Sequence, residues 1–185
     1  MPSPRDRMQE LFRERALQFG DFTLASGKKS SYYVNSKRVL FHAEAITILG
    51  ELLADTTADL QFDAIGGLEV GAIPMAAAAL TALHRRGKSA EGFFVRKQAK
   101  GHGSRERLEG LVKTGDRVVV IDDVLTTGGS VLQAIEAVEA AGATVVRVIC
   151  ICDRLQGAAE TLKGYEFRPL FTIRDFGIEP IPEPK

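Results

Sequence analysis

The sequence predicts an α/β fold in which a doubly wound, mostly parallel β-sheet lies between helices. Short apolar runs rich in β-branched residues alternate with amphipathic stretches of helical spacing, the pattern typical of this class. The clearest run, residues 118–121, has no polar alternation and is too short for a helix, so it predicts a strand buried on both faces. Small, glycine-rich turns join such runs to the helices that follow them.

The N-terminal part of the chain is predicted to contain two helices and a hairpin. Apolar residues at helical spacing predict a helix over residues 5–19, ended by Gly20. Two short strand-like pieces around residues 26–29 predict a hairpin. A second amphipathic helix is expected over residues 43–58, and its buried face is formed by Ile46, Leu49, Leu52 and Leu53.

Strands and helices then alternate to the end of the chain. The predicted strands are residues 62–67, 93–95, 118–121, 144–151 and 169–173. The glycines that end the first of these strands are expected to form a turn. The predicted helices are residues 71–80, 131–139 and 156–163. We expect one domain over residues 1–185, with a core over approximately 41–154. The N-terminal hairpin and the C-terminal segment, approximately 1–40 and 155–180, are expected to form a small hood over it.

The composition argues against two classes of protein. Lys plus Arg and Asp plus Glu both number 24, so the net charge is zero, which disfavours a general nucleic-acid-binding protein. No apolar run reaches about 18 residues, and the first residues lack the apolar core of a signal peptide. No membrane association and a cytoplasmic location are therefore expected. Cys150 and Cys152 lie in an apolar run and are expected to be buried and reduced.

Two carboxylates, Asp122 and Asp123, follow the central apolar run, and a turn of small residues leads from them into the next helix. Such a turn lets backbone N–H groups converge on an anion, and the helix dipole adds partial positive charge. The carboxylates would repel a bare phosphate but accept hydrogen bonds from the vicinal hydroxyls of a ribose. The pattern therefore predicts a ribose 5-phosphate ligand. It lacks the lysine of a Walker A loop and the spacing of a dinucleotide fold.

The whole stretch of residues 118–130 resembles the phosphoribosyl pyrophosphate signature of the type I phosphoribosyltransferases. The resemblance implies that Asp122 and Asp123 hold the ribose hydroxyls and take part in catalysis. Asp123 is also expected to contact Mg²⁺ through a water molecule. The loop that follows is expected to bind the 5-phosphate, and its residues are Val124, Leu125, Thr126, Thr127, Gly128, Gly129 and Ser130.

Three other segments resemble one branch of that family, the orotate phosphoribosyltransferases. The F-x-L-x-S-G-x-x-S segment at 22–30 implies that Tyr33 and Val34, just beyond it, lie against the orotate ring. Asp-Arg at 153–154 implies that Arg154 contacts orotate, as a guanidinium suits a carboxylate, and Thr126 is expected to reach the base. This chain departs from the pattern of that branch at Ala25, Glu69 and Val70, where relatives often have other residues.

The third segment is a long polar loop at residues 96–107, which contains R-K-x-x-K-x-H-G. By composition alone it is either a solvated loop or a lid. The resemblance implies a flexible catalytic loop that binds the diphosphate and completes the active site of a homodimer partner. Cations closing over pyrophosphate would stabilise its developing charge. The matching residues are Arg96, Lys97, Lys100 and His102, of which Lys100 and His102 are the expected catalytic pair.

The resemblance as a whole implies transfer of ribose 5-phosphate from phosphoribosyl pyrophosphate to orotate, with Mg²⁺, in pyrimidine biosynthesis. Two alternatives stay open from the sequence. A purine phosphoribosyltransferase would share the ribose-phosphate motif. A non-catalytic regulator of the same fold would bind nucleic acid, against which the zero net charge argues.

Overall fold

A computed structural model describes residues 2–23, 29–98 and 107–180 of the chain. Its strands are β1 (Leu17–Thr23), β2 (Lys29–Val34), β3 (Ala64–Leu68), β4 (Glu91–Val95), β5 (Leu108–Gly110), β6 (Arg117–Leu125), β7 (Thr144–Asp153) and β8 (Phe167–Thr172). Its helices are α1 (Pro4–Arg15), α2 (Lys37–Leu40), α3 (Ala43–Thr56), α4 (Ala72–Arg85), α5 (Gly129–Ala140) and α6 (Ala158–Thr161). A 3₁₀ turn, Ile173–Phe176, follows β8.

The six strands β3 to β8 form one sheet in the order β5-β4-β3-β6-β7-β8. Every neighbouring pair is parallel except β4 and β5, which run antiparallel at one edge. Helices α3 and α4 pack on one face with α1, and α5 and α6 pack on the other. The predicted doubly wound, mostly parallel α/β fold is confirmed.

The N-terminal helix is shorter than its apolar spacing predicts. It ends at Arg15, and Ala16 caps it by donating its N–H to the Phe12 carbonyl. From Leu17 the chain pairs with β2 as the predicted hairpin, and Phe19 is 65% exposed on this strand. The prediction of helix to residue 19 was wrong because apolar spacing alone cannot weigh the cross-strand hydrogen bonds that the later strand offers.

The glycines predicted to form a turn after β3 lie inside that strand. A Cβ on Gly66 would stand 1.9 Å from the Phe93 carbonyl oxygen, and one on Gly67 would stand 1.9 Å from that of Ile121. Strand β3 is therefore glycine-rich because its neighbours approach its backbone too closely for side chains. Strand β5 was not predicted, and the helix expected over residues 156–163 is only the single turn of α6.

Strand β6 is longer than the run that predicted it, and this places the carboxylates. It continues through Asp122 and Asp123 to Leu125, with Asp122 opposite Cys150 on β7. Cys150 and Cys152 are buried free thiols, as expected. Within the described ranges, no helix is long and apolar enough to span a membrane.

Strand β7 contains a buried arginine far from the carboxylates along the strand. Arg147 has a side chain only 1% exposed, and it donates to both oxygens of Asp59 at 2.7 and 2.9 Å. It also donates to Glu166 at 2.8 Å and to the Thr56 carbonyl at 2.5 Å. These bonds tie the end of α3 to β7 and to the segment before β8, at the end of the sheet opposite the site.

Candidate active site

Asp122 and Asp123 stand at the C-terminal end of the central strand β6, where ligands of parallel sheets bind. They are only 6% and 7% exposed. Asp122 accepts hydrogen bonds from the Ser130 hydroxyl at 2.8 Å and from the Asp123 N–H at 2.9 Å. Asp123 accepts hydrogen bonds from the Val124 N–H at 3.0 Å and, on its other oxygen, from Lys37 Nζ at 2.5 Å. The Ser36 hydroxyl donates to that same oxygen.

The two carboxyls differ in their electrostatic surroundings. Burial, together with the neighbouring charge of Asp123, raises the pKa of Asp122 well above its ordinary value. Burial would also raise the pKa of Asp123, but the hydrogen bonds from Lys37 and Ser36 outweigh it, so that pKa is lowered. Asp123 therefore stays ionised, while Asp122 takes up a proton more readily than Asp123 does.

The loop between β3 and α4 reaches the same point. A Cβ on Gly71 would lie 2.6 Å from Cγ of Asp123, so only glycine allows the start of α4 to approach this carboxylate. Two strand-turn-helix units, β3 with α4 and β6 with α5, therefore converge on the carboxylate pair. Their backbone N–H groups suit negatively charged ligand groups on either side of it.

The predicted phosphate-binding turn joins β6 to α5. Gly128 has a φ of +87°, a left-handed conformation that favours glycine, and α5 begins at the next residue. Thr126 and Thr127 are exposed at the turn, while Leu125 is fully buried and its carbonyl accepts the backbone N–H of Arg154. The turn presents the helix N-terminus and two hydroxyls beside the carboxylates, which is the arrangement an anion requires.

Arg154 lies directly after β7, and its side chain is held next to the hairpin. It is 8% exposed, its N–H donates to the Leu125 carbonyl at 2.9 Å, and its Nε donates to the Tyr32 hydroxyl at 3.3 Å. Its guanidinium carbon lies 4.9 Å from the centre of the Tyr32 ring. Among the described residues, Arg154 Nη2 has no hydrogen-bond acceptor. The backbone bond between Arg154 and Leu125 therefore places Arg154 beside the turn that follows β6.

The predicted ring contacts Tyr33 and Val34 lie on opposite sides of strand β2, because successive side chains alternate. Tyr33 is 43% exposed, and its ring centre lies 5.7 Å from that of Phe22. Val34 packs against the hydrophobic core on the side of the buried Tyr32. The structure thus brings Val34 and Tyr32 to the same face of the hairpin, and Tyr33 to the other.

The beginning of the predicted catalytic loop is described, and Lys100 and His102 lie outside the described residues. Arg96 Nε donates to Glu109 at 2.9 Å, which fixes this guanidinium against β5. The Lys97 N–H donates to Glu69 Oε1 at 2.9 Å. Glu69, one of the departures noted in the sequence, therefore ties the loop after β3 to the first residues of the long loop.

Sequence reasoning missed Ser36, Lys37 and Tyr32. The polar segment at residues 35–38 carries no motif, and only the three-dimensional approach of α2 to β6 gives Lys37 its partner. The described ranges contain no cluster of three or more His, Cys, Asp or Glu side chains that could hold a metal. One oxygen of Asp123 already accepts from Lys37, so the pair fits a cation held mainly by the ligand and by water.

Replacing Asp122 by asparagine is expected to stabilise the protein at neutral pH. The asparagine oxygen can still accept the Asp123 N–H and its amide can donate to Ser130, but the buried charge is removed. Because the folded-state pKa of Asp122 lies above the unfolded value near 4, its destabilising effect is absent below about pH 4 and grows as pH rises towards about 7. We expect a gain of roughly 1–2 kcal/mol near pH 8.

The measurement is urea or thermal unfolding of the wild type and Asp122→Asn between pH 4 and pH 8. The two proteins should have nearly equal stability at the acidic end. A constant difference across the range, or lower stability of the variant at pH 8, would contradict the assignment of a buried, repelled carboxylate.

Comparison with known proteins shows which family this chain resembles. Residues 36–174 match the family described as "Phosphoribosyl transferase domain". An orotate phosphoribosyltransferase of Streptomyces coelicolor is 46% identical over 163 residues, which cover 88% of this chain and 90% of the relative. One of Rhodopirellula baltica is 43% identical over 178 residues, covering 92% of each.

Solved structures agree in fold along nearly the whole chain. The orotate phosphoribosyltransferase of Mycobacterium tuberculosis, in complex with Fe(III) dicitrate, superposes with a TM-score of 0.85 at 38% identity, covering 95% of this chain and 99% of that one. The same enzyme in complex with phosphoribosyl pyrophosphate gives a TM-score of 0.80 at 36% identity, with the same coverage. An adenine phosphoribosyltransferase of Thermoanaerobacter pseudethanolicus, at 21% identity and a TM-score of 0.65, shares the fold.

Proposed function

Because the chain belongs to the orotate phosphoribosyltransferases, a branch of the type I phosphoribosyltransferases, we propose that the carboxylate pair binds phosphoribosyl pyrophosphate and Arg154 recognises orotate. The chain transfers ribose 5-phosphate to orotate, which gives orotidine 5-phosphate and pyrophosphate in pyrimidine biosynthesis. The observation that supports these roles best is the buried Asp122–Asp123 pair beside the N-terminus of α5.

The ribose 5-phosphate is held by β6 and the turn that follows it. Asp122 and Asp123 accept hydrogen bonds from the ribose hydroxyls, and residues 124–130 form the loop that binds the 5-phosphate. Helix α5 directs its first N–H groups to this phosphate. The negative charge that Lys37 and Ser36 maintain on Asp123 stabilises the positive charge that develops on the ribosyl carbon as the diphosphate leaves.

The orotate ring lies between the hairpin and the end of β7. Arg154 pairs with its carboxylate, because a guanidinium with an unpartnered, buried donor gains most from an anion. Val34 offers apolar surface to the flat ring, and Thr126, exposed in the phosphate-binding turn, contacts the base. Tyr33 lies on the other face of the hairpin, with its ring against Phe22, so its contact with orotate stays a prediction of the family resemblance.

Asp123 would hold Mg²⁺ through a water molecule when the ion is bound with the diphosphate. The ion would supply positive charge that neutralises the leaving pyrophosphate. This fits a site with two carboxylates, one of which is already paired with Lys37. The glycine-rich loop before α4 offers backbone N–H groups to the same diphosphate.

The long loop completes the reaction from a second copy of the chain. Lys100 and His102 neutralise and protonate the departing pyrophosphate. Arg96 and Lys97, at the start of the loop, bring further positive charge to the diphosphate. The attacking orotate nitrogen is held on the face of the ribose opposite the leaving diphosphate, and this positioning supplies much of the rate acceleration. A homodimer with shared loops, the division into hood and core, and a cytoplasmic location stay predictions of the family resemblance.

The experiment that tests the proposed function follows orotate by its ultraviolet absorbance, with phosphoribosyl pyrophosphate and Mg²⁺ present. Adenine, hypoxanthine, xanthine and uracil are assayed in parallel. We expect turnover with orotate and at least about a hundredfold lower kcat/KM with every other base. Preference for a purine would support the purine alternative instead. Binding of phosphoribosyl pyrophosphate without turnover of any base would favour a regulator.

A further inference from the structure

Tyr32 is held rigidly against Arg154, although no sequence motif pointed to it. It is 1% exposed, and the neighbouring Ser30 hydroxyl donates to its carbonyl at 2.6 Å and accepts its N–H at 3.3 Å. Its ring stacks under the guanidinium of Arg154, and its hydroxyl oxygen accepts the Nε hydrogen of that residue. Two independent contacts therefore fix the direction of the guanidinium.

This arrangement leaves two donors without acceptors among the described residues. Arg154 Nη2 is buried and donates to none of them, and the Tyr32 hydroxyl accepts from Nε but donates its own hydrogen to none of them. A buried charged donor without a partner costs free energy, which a bound acceptor recovers. Both donors belong to contacting side chains, so a single ligand group can satisfy them together.

Arg147, the buried arginine within β7, provides a comparison: only its Nε lacks an acceptor among the described residues, while both terminal nitrogens of its guanidinium are paired. Arg147 is paired with two carboxylates and a carbonyl from its own chain. Arg154 has no carboxylate partner within the described residues, although it is more than nine-tenths buried. The acceptor that fits Arg154 and Tyr32 is an anion with two coplanar oxygens, because a guanidinium and a neighbouring hydroxyl can each serve one oxygen of a carboxylate.

We propose that Tyr32 is a specificity-determining residue that selects pyrimidine substrates bearing a carboxylate. It aims Arg154 at the carboxylate and donates its own O–H to the same group. This inference rests on the proposed function, in which Arg154 meets orotate. It adds that discrimination against uracil, the same ring without the carboxylate, depends on the Tyr32 hydroxyl.

The test measures binding of orotidine 5-phosphate and uridine 5-phosphate by isothermal titration calorimetry. These nucleotides share the ribose phosphate and differ in the base carboxylate. Tyr32→Phe keeps the ring and removes the hydroxyl, so we expect about a tenfold weaker affinity for orotidine 5-phosphate and less than about a twofold change for uridine 5-phosphate. Tyr165→Phe, whose hydroxyl donates to Glu139 away from the site, is the matched control.

A second variant separates an effect on Arg154 from general damage. Arg154→Gln alone should weaken orotidine 5-phosphate binding, and adding Tyr32→Phe should then weaken it little further, because the two residues act on one group. Equal losses for both nucleotides, no loss for either, or fully additive effects would overturn the inference. If wild-type protein turned over no orotate, the proposed function itself would fail, whereas orotate turnover with an unchanged Tyr32→Phe variant would remove only this inference.

Discussion

Replacing Asp123 by asparagine is expected to lower kcat/KM for phosphoribosyl pyrophosphate by at least about 100-fold, which equals about 2.7 kcal/mol of transition-state stabilisation. The asparagine keeps an oxygen for the Val124 N–H but loses the negative charge that Lys37 and Ser36 maintain. In the proposed mechanism that charge faces the ribosyl carbon as it becomes cationic, so the loss should appear in kcat as well as in KM.

The control for Asp123→Asn is Asp55→Asn, which removes a largely exposed carboxylate on α3 that pairs with Arg86. It should leave kcat/KM within about twofold, because exposed pairs contribute little. The Asp123→Asn protein should be somewhat less stable than the wild type, because the lowered pKa of Asp123 means that its charge, paired with Lys37, stabilises the fold. Turnover is therefore compared under conditions in which both proteins are folded. A kcat/KM within tenfold of the wild type, in a folded variant, would refute the role given to Asp123.

Lys100→Ala is the second change with a large expected effect. We expect kcat to fall by about 100-fold or more, while the dissociation constant of phosphoribosyl pyrophosphate changes by less than about threefold. The reason is that a loop cation meets the full charge of pyrophosphate only as the bond to the ribose breaks. Stopped-flow or steady-state turnover gives kcat, and calorimetry gives the binding constant. Similar losses in both quantities would contradict a role confined to the transition state.

Mixing two inactive variants tests whether the loop acts across subunits. In a heterodimer of Lys100→Ala and Asp123→Asn, one site combines an intact Asp123 with the partner's intact loop. Random reassociation of equal amounts should restore about a quarter of wild-type activity. No recovery after subunit exchange, verified by light scattering, would place the loop in its own subunit's site. Each variant alone provides the baseline.

The sequence predicted the elements whose signals are local. The apolar run at residues 118–121 and the small residues after Asp123 marked β6, its turn and the helix α5, because burial on both faces and a helix N-terminus each leave a compositional pattern. The alternating order of strands and helices gave the parallel sheet. The family resemblance then supplied the expected ligands, which composition alone could not name.

The parts that could not be predicted depend on contacts between distant segments. Lys37 lies 86 positions before Asp123, and Tyr32 lies 122 positions before Arg154. Nothing near either residue in the chain marks its partner. The predicted N-terminal helix was too long for the same reason: the strand that pairs with residues 17–23 comes later in the chain. Arg147 sits in a strand that was predicted correctly, but its burial depends on acceptors from α3 and from the segment before β8.

The most direct test of the whole account is a crystal structure with orotidine 5-phosphate bound. We predict that both ribose hydroxyls lie within hydrogen-bond distance of Asp122 and Asp123, with the phosphate at residues 126–130. The base carboxylate should contact Arg154 and the Tyr32 hydroxyl. A phosphate bound elsewhere, or a carboxylate facing solvent with Arg154 Nη2 still without an acceptor, would contradict the central claim.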